Sequence, residues 1–340
     1  MDELSPNISE SRVLYICSTY YHVYITLLKQ LAEPVNADLV VCDDIPTGEQ
    51  LTDRLKETKL LHRVWFVRQS LLPEERGKTI LDWILFQHRR RYRAVRPMLP
   101  FEVTDYRDVY IYHDGTPLGM YLADARKPYH LIEDSLNFYQ RVRETAQARL
   151  LKPHNWKYKI RHFLNSGYFP LGESRYVLDI EVNDKHNLQI RGRKIVELPR
   201  TYLRDRVSPE DDALLLKVFE CPELPRIDGK CALILTEPLF ADGVCRSMQE
   251  QIQIYEDMSK QLMQLGYCVI IKPHPRDEAN YSRVATVVLD RYFPIELLDH
   301  TPVPRPGCVA AKSSSVLSRG ANQILVWDDN KQRVLKTENN

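Results

Sequence analysis

The sequence lacks a glycine-rich phosphate loop, and it contains little glycine at all, only 12 residues in 340. Neither the G-x-x-x-x-G-K-[ST] pattern of P-loop proteins nor the G-x-G-x-x-G pattern of dinucleotide-binding proteins occurs. A D-x-D pattern of the metal-dependent type is absent as well. Proteins that hold ATP on a P-loop, or a dinucleotide cofactor on a glycine-rich turn, are therefore excluded.

An excess of one charge and long apolar runs are also missing. The chain has 47 Lys and Arg against 46 Asp and Glu, and this near-zero net charge of +1 argues against a nucleic-acid partner. No apolar run approaches the ~18 residues of a membrane span. The seven cysteines form no C-x-x-C pair, which is typical of a reducing compartment. The acidic, polar N-terminus does not resemble a signal peptide. We expect a cytoplasmic protein.

What the chain does contain is a regular alternation of short apolar runs and helical patterns. This rhythm predicts an α/β protein with parallel sheets covered by helices. The predicted strands of the first half are Val13–Cys17, Leu39–Cys42, Val64–Val67, Val109–Tyr112, Tyr129–Ile132, Tyr176–Ile180 and Ile195–Leu198, and those of the second half are Ala232–Leu235, Val269–Ile271 and Ile324–Trp327. With 340 residues there is room for two domains. We expect the chain to cross between them at Pro199–Arg206, giving domains 1–200 and 201–340.

In the first half, acidic side chains follow two neighbouring strands. Asp114 follows one strand and Glu133–Asp134 follow the next. Tyr20, Tyr21 and His22 come after the first strand, at a predicted strand-to-helix turn. Because the carboxyl ends of parallel strands meet at one edge, these residues are candidates for a ligand-binding edge. The alternative interpretation is that each Asp merely caps a turn.

In the second half, the apolar run Val269–Ile271 leads into Lys272, Pro273, His274 and Pro275. A histidine between two prolines ends the strand and is held rigidly just beyond it. Thr236 follows another strand, and Glu296 and the hydroxyls of Ser313–Ser315 come downstream. A basic residue, a histidine, a carboxylate and paired hydroxyls together suit a nucleotide with a phosphate. The alternative is a capped turn with a surface histidine.

One run departs from the neutral balance of the chain. Arg89, Arg90, Arg91 and Arg93 lie close together on a predicted helix, and Arg96 follows. A solvated helix face explains the run. The alternative is a function, namely contact with an anionic membrane surface or a phosphorylated acceptor.

Taken together, the motifs resemble those of bacterial sialyltransferases of glycosyltransferase family 52. Leu131–Ser135 resembles the family's paired-acid-plus-glycine motif, and Lys272–Pro275 resembles its His-Pro motif. Phe293–Glu296 resembles the segment whose glutamate holds the nucleotide ribose, and Ser313–Ser314 resembles the paired-serine motif. One position departs from the pattern, since Ser135 stands where the family usually has glycine.

The resemblance implies a GT-B fold, in which two Rossmann-like α/β domains face one another across a cleft. It also implies inverting transfer of sialic acid from cytidine monophosphate (CMP)-sialic acid. Asp134 is then the general base, with Asp114 as the alternative, and His274 stabilises or protonates the leaving phosphate. The donor-binding residues are then Lys272, Pro275, Thr236, Glu296 and the serines Ser313, Ser314 and Ser315. The residues Glu133, Tyr20, Tyr21 and His22 are expected near the acceptor.

The resemblance further implies that neither a metal nor another cofactor is required. The donor-side domain is then 201–340 and the acceptor-side domain 1–200. The expected partners are a nucleotide sugar and a glycan or glycolipid of the capsule or lipooligosaccharide type, with peripheral membrane contact and a homodimer both left open. The alternatives are the same fold with CMP-Kdo or a nucleotide hexose as donor, or an inactive relative that binds a glycan or nucleotide.

Overall fold

The structure is a computed structural model that describes residues 12–72, 92–134, 138–150, 171–188, 193–227, 229–301, 303, 306–311, 323–328 and 333–336. The chain divides into two compact units, Met1–Val218 and Phe219–Asn340. The assignment of acceptor and donor roles to residues 1–200 and 201–340 stays a prediction. Several predicted features lie outside the described residues, namely the helix with Arg89–Arg91, the motif residue Ser135 and the serines Ser313–Ser315.

The first unit contains seven described strands and six helices. The strands are β1 Val13–Cys17, β2 Ala37–Cys42, β3 Arg63–Val67, β4 Asp108–Ile111, β5 Tyr129–Ile132, β6 Val177–Val182 and β7 Ile195–Glu197. The helices are α1 Tyr20–Ala32, α2 Gly48–Glu57, α3 Pro117–Asp124, α4 Phe138–Leu150, α5 Arg200–Arg204 and α6 Pro209–Val218.

These strands form one parallel sheet in the order β3-β2-β1-β4-β5-β6-β7. The strand order reverses between β1 and β4, which pair with Val13 opposite Asp108 and Ile16 opposite Ile111. In a doubly wound sheet, ligands bind outside the carboxyl ends of the strands at such a reversal. The edge formed by residues 18–22 and 112–116 is therefore the natural place for a site.

The two faces of this sheet differ in chemistry. One face carries the apolar core, to which Leu14, Ile16 and Ile111 contribute from the central strands. The other face carries a row of side chains across β1, β4, β5 and β6. Tyr15 stacks on Tyr110 with ring centroids 5.1 Å apart, and Tyr110 stacks on His130 at 4.5 Å. The row ends where His130 Nδ1 lies 2.8 Å from an oxygen of Asp179.

A buried ion-pair network lies on the same polar face. Lys29, late in α1, pairs with Glu181 of β6, and its ammonium lies 4.8 Å from the Tyr110 ring centroid. Arg200, the first residue of α5, also pairs with Glu181, at 3.1 Å. Buried charges require partners of this kind, so the network fixes α1 and α5 on the sheet.

The second unit contains six described strands around one long helix. The strands are β8 Cys231–Leu235, β9 Cys268–Lys272, β10 Val287–Val288, β11 Cys308–Ala311, β12 Gln323–Asp328 and β13 Arg333–Lys336, and the helix is α7 Met248–Gln264. The sheet order is β10-β9-β8-β11-β12-β13. All neighbours are parallel except β12 and β13, which pair antiparallel. Here the strand order reverses at β8, between β9 and β11.

Helix α7 begins and ends at residues whose chemistry explains its bounds. Ser247 Oγ accepts a hydrogen bond from the Glu250 backbone N–H at 3.1 Å, so Ser247 is the N-cap. The Glu250 carboxylate accepts the backbone N–H of Arg246, the residue before the cap, at 2.7 Å. Gly266 ends the helix with a φ of 82°, a conformation that glycine adopts without strain. Both ends of the helix thus follow from local residues, a serine cap before it and a glycine after it.

The structure corrects the sequence-based expectations in two places. Pro199–Arg206, expected as a crossing segment, contains α5 and belongs to the first unit. Tyr20, Tyr21 and His22, expected in a turn, form the first turn of α1. Strands β10, β11 and β13 have no counterpart among the predicted strands. Within the described residues, no helix is long and apolar enough to cross a membrane.

Candidate active-site residues

Asp134 lies directly after β5, at the carboxyl edge of the first sheet. Its side chain is 8% exposed, and its Oδ2 accepts a hydrogen bond from Arg141 Nη1 at 3.1 Å. Arg141 lies in the first turns of α4, so the helix that follows the Asp134 loop also holds its carboxylate. The ion pair with Arg141 restricts the orientation of this carboxylate.

Two histidines extend this arrangement toward β1 and β4. Nε2 of His113 lies 2.9 Å from Arg141 Nη2. Because a guanidinium can only donate, this nitrogen is the acceptor. His22 is fully buried, stacks on Tyr112 at 4.3 Å, and accepts the Ser18 backbone N–H on Nδ1 at 3.1 Å. Residues from three adjacent strand ends therefore meet around Asp134.

Burial makes His22 a permanently neutral side chain at ordinary pH. Removal from water lowers the pKa of His22 to about 3, with the Asp134 backbone carbonyl opposing this shift and His113 adding to it. Since Nδ1 accepts a hydrogen bond, the neutral ring carries its proton on Nε2. That N–H is buried without a hydrogen-bond partner among the described residues.

Asp114, the alternative base, has a different environment. Its carboxylate is buried and accepts hydrogen bonds from the backbone N–H of Leu171 at 2.6 Å, the N–H of Gly172 at 3.0 Å and the hydroxyl of Tyr129 at 3.0 Å. Leu171 and Gly172 both have positive φ, 59° and 79°, so their two N–H groups converge on one anion. Burial raises the pKa of Asp114, against the effect of these hydrogen bonds. The carboxylate therefore stabilises the turn at residues 171–172.

The remaining first-unit candidates also have structural contacts. Glu133 is buried and accepts hydrogen bonds from the Tyr139 hydroxyl and the Asn183 backbone N–H, both at 2.7 Å. It thereby joins the ends of β5 and β6 beside Asp134. Tyr20 shares a hydrogen bond of 2.7 Å with Thr47, and Tyr21 is half-buried beside His22. Their expected role near the acceptor stays a prediction.

His274 lies in the loop after β9, at the carboxyl edge of the second sheet. Its backbone N–H donates to Thr236 Oγ1 at 3.1 Å, which joins the ends of β9 and β8. The Arg276 backbone N–H donates to Nδ1 of the ring at 3.0 Å. Burial, Arg276 and Lys272 lower the pKa of His274. The ring is therefore neutral at pH 7, with its proton on Nε2, where it can donate a hydrogen bond.

Lys272 is buried, and its ammonium donates to the carbonyls of Pro273 at 2.5 Å and Arg291 at 2.9 Å. Burial lowers its pKa to about 8, with Glu296 opposing the shift. These contacts hold two loops together at the strand end, whereas the expected contact with a nucleotide stays a prediction. Pro275 is exposed, and Glu296 is partly exposed on the 3-10 helix Ile295–His300.

Ser313, Ser314 and Ser315 lie outside the described residues, and so does Ser135. The last described residue before the serines, Ala311, pairs with Leu235 at the end of β8.

Two groups of residues were not predicted from the sequence. Arg141 and His113 surround Asp134, and Asp277 holds the loop of His274 together with Gln251 and Tyr281. A basic residue one to two helical turns after a strand-end acid is a weak pattern, because most such residues face solvent. Asp277, three residues after the histidine, could have been found as a turn-forming carboxylate.

The chain has two Rossmann-like α/β units, with acids at the carboxyl edge of one sheet and a His-Pro loop at the edge of the other. These are features of the GT-B class of glycosyltransferases. The model of glycosyltransferase family 52 matches residues 100–324, two thirds of the chain. The protein belongs to glycosyltransferase family 52. No curated protein sequence matches the chain.

The match confirms the resemblance, since the matched range includes all four motif segments. A glycosyltransferase takes a nucleotide sugar as donor and a glycan as acceptor. Residues 12–72, with β1 to β3 and the helices α1 and α2, lie before the matched range. Among the described residues, no three His, Cys, Asp or Glu side chains are grouped so as to hold a metal ion.

Proposed function

We propose that this protein is an inverting, metal-independent sialyltransferase that moves sialic acid from CMP-sialic acid to a hydroxyl of a cell-surface glycan. The observation that carries the proposal is the family match over both strand-end motifs. Asp134 and His274, which belong to these motifs, lie after β5 and β9. Open α/β sheets bind ligands at such carboxyl edges.

Asp134 is the proposed general base. As the acceptor oxygen bonds to the anomeric carbon, its proton passes to a carboxylate oxygen of Asp134. The anomeric carbon has oxocarbenium character in the transition state, and attack from the face opposite the leaving group inverts it. Asp134 suits this role because its loop follows a strand end and Arg141 fixes its orientation. Asp114 suits it less, since both of its oxygens are engaged by buried donors.

His274 is the proposed stabiliser of the leaving group. When the bond from the anomeric carbon to the phosphate oxygen breaks, the electron pair moves onto CMP. A neutral imidazole whose Nδ1 is occupied by the Arg276 N–H offers its Nε2–H to that oxygen. The hydroxyls of Ser313, Ser314 and Ser315 would add donors to the same phosphate. Because these donors supply the electrophilic assistance, the reaction requires no divalent ion.

The rest of the donor is proposed to bind in the second unit. Glu296 would accept hydrogen bonds from the ribose hydroxyls, and Thr236 supports the loop on which His274 approaches the phosphate. Lys272 would act mainly by holding the loop and by adding positive charge near Glu296. The acceptor is proposed to bind near Tyr20, Tyr21 and the residues around Asp134.

We propose that the enzyme acts in the cytoplasm on capsule or lipooligosaccharide precursors, with peripheral contact at the inner face of the membrane. The buried cysteines Cys17, Cys42, Cys231 and Cys245 form no disulfide among the described residues, which supports a reducing compartment. The basic run supports the membrane contact, although Arg96 pairs with Glu102 at 2.7 Å. A homodimer is part of the same proposal and is tested by the mass of the protein in solution.

The function is tested by offering CMP-sialic acid, CMP-Kdo and a nucleotide hexose to the purified protein, with and without a soluble glycan acceptor. We expect CMP release from CMP-sialic acid that depends on the acceptor and is absent in Asp134→Asn. Asp53→Asn, which changes an exposed carboxylate on α2, is the matched control and should retain full activity. Turnover with another donor only would contradict the sialyl assignment, and donor binding without turnover by any donor would indicate an inactive relative.

A further inference from the structure

Asp277 is a fully buried carboxylate below the His-Pro loop, with 2% of its surface exposed. It accepts four hydrogen bonds. Oδ1 receives the Gln251 amide N–H at 2.8 Å and the Ala279 backbone N–H at 2.9 Å. Oδ2 receives the Tyr281 hydroxyl at 2.9 Å and the Thr236 hydroxyl. An ionised carboxylate has room for about four such donors, so its capacity is filled.

Thr236 connects the carboxylate of Asp277 to His274. Because the carboxylate of Asp277 can only accept, the Thr236 hydroxyl must donate to it. The lone pairs of Thr236 Oγ1 are thereby left to accept, and they receive the His274 backbone N–H at 3.1 Å. Asp277 thus determines which way the Thr236 hydroxyl points.

A turn completes the arrangement around His274. The Asp277 backbone N–H donates to the His274 carbonyl at 2.8 Å, and the Arg276 N–H donates to Nδ1 of the ring at 3.0 Å. Both hydrogen bonds form only while the chain turns between His274 and Asp277. The turn therefore selects the tautomer with the proton on Nε2.

We propose that Asp277 is a positioning residue for the leaving-group step, acting through Thr236 and the 274–277 turn to fix the orientation and tautomer of His274. The proposal rests on the proposed function of His274 but concerns a residue outside the four motif segments. Two features favour a positioning role over simple core packing. All four donors point at one carboxylate, and one of them, the Thr236 hydroxyl, in turn accepts the His274 backbone N–H. In addition, the backbone N–H of Asp277 donates to the His274 carbonyl across the turn.

Asp277→Asn is the central variant. Whichever way the amide is placed, its NH2 group faces two donors that previously met an oxygen, so the turn must shift. We expect the ring of His274 to populate both neutral tautomers. A displacement of about 1 Å at a reacting group lowers the rate roughly 100-fold, so kcat should fall by 10–100-fold with a smaller change in KM for the donor.

The direct readout is the ¹⁵N–¹H correlation spectrum of histidine-labelled protein, in which the two neutral tautomers have different nitrogen shifts. The His274 resonances are assigned from a His274→Gln variant. Ser259→Ala is the matched control, because it removes another buried hydrogen bond of the same unit, to the Val284 carbonyl, without contacting Asp277. We expect its stability to fall while the His274 spectrum and kcat stay as in the wild type.

If Asp277→Asn does not fold, Thr236→Val tests the same link, because it keeps the shape of the side chain and removes the hydroxyl. A His274 spectrum unchanged in either folded variant overturns the proposal, even when kcat falls. A changed spectrum with unchanged kcat overturns it too. Failure of the proposed function is distinguishable, since it appears as a wild-type protein inactive with CMP-sialic acid, whatever the tautomer spectra show.

Discussion

Replacing Asp134 and Asp114 separately by Asn distinguishes the two candidate bases by comparing activity with stability. Asp134→Asn keeps the size of the side chain and removes its capacity to take a proton. Loss of a general base lowers the rate by about 10²–10⁴-fold. Arg141, the partner in its ion pair, is half-exposed, so we expect the variant to be inactive and to lose less stability than Asp114→Asn.

Asp114→Asn should have the opposite profile. The amide can still accept with its oxygen, but its NH2 group must face at least one of the buried donors Leu171, Gly172 and Tyr129. Each donor left unpaired in the interior lowers the free energy of unfolding by about 1–3 kcal/mol. We expect an enzyme that is clearly destabilised, yet retains measurable transfer at a temperature where it is folded.

The assays are urea unfolding followed by circular dichroism, and acceptor-dependent release of CMP under conditions where each variant is folded. Binding of CMP, measured by calorimetry, should be nearly unchanged in Asp134→Asn. The assignment of the base is wrong if Asp114→Asn is folded, stable and inactive while Asp134→Asn transfers sialic acid at the wild-type rate.

Three further predictions concern the metal, the buried histidine and the basic run. Transfer should proceed undiminished in excess EDTA, and activity that is lost and then restored by titrated Mg²⁺ or Mn²⁺ would contradict the proposed chemistry. Because the pKa of His22 is about 3 when folded and ~6.5 when unfolded, the unfolded state binds the proton first, and the free energy of unfolding should fall by about 1.4 kcal/mol per pH unit as pH decreases below 6.5. Urea titrations at pH 7 and pH 5 should show this loss reduced by about 2 kcal/mol in His22→Asn. Changing Arg89, Arg90, Arg91 and Arg93 to Gln should weaken sedimentation with anionic vesicles by up to about 1 kcal/mol per charge, and less at high salt, with little effect on a soluble acceptor; unchanged sedimentation with a lower melting temperature would indicate intramolecular ion pairs instead.

The parallel sheets could be predicted from the sequence because their strands are buried on both faces. Runs such as Val13–Cys17 and Val269–Ile271 are continuously apolar, and the chain leaves them through polar or rigid residues. The same reasoning placed Asp134 and His274 at carboxyl ends of strands. Helix α4 was missed because Phe138–Leu150 is polar around most of its circumference and shows little amphipathic periodicity.

The detailed chemistry of the site could not be predicted, because it depends on contacts between distant parts of the chain. Arg141 of α4 contacts His113, which follows β4, and Asp277 contacts Gln251 in the first turn of α7. The buried contacts of Lys272 are of the same kind, since a lysine after a strand is ordinarily solvated. Local patterns locate the edge of a sheet, whereas hydrogen-bond partners across that edge require the fold.

The strand order of the first unit has a consequence for its biosynthesis. β2 follows β1 closely and can pair with it as soon as it leaves the ribosome, and β3 then pairs with β2, but the other edge of β1 is covered only by β4. Until Asp108–Ile111 has been synthesised, the wholly buried sequence Val13–Cys17 presents an unpaired apolar edge to other nascent chains. A ribosome that stalls between β3 and β4 therefore exposes the most aggregation-prone intermediate of this unit. Slower growth at low temperature, with chaperones in excess, should raise the yield of folded protein.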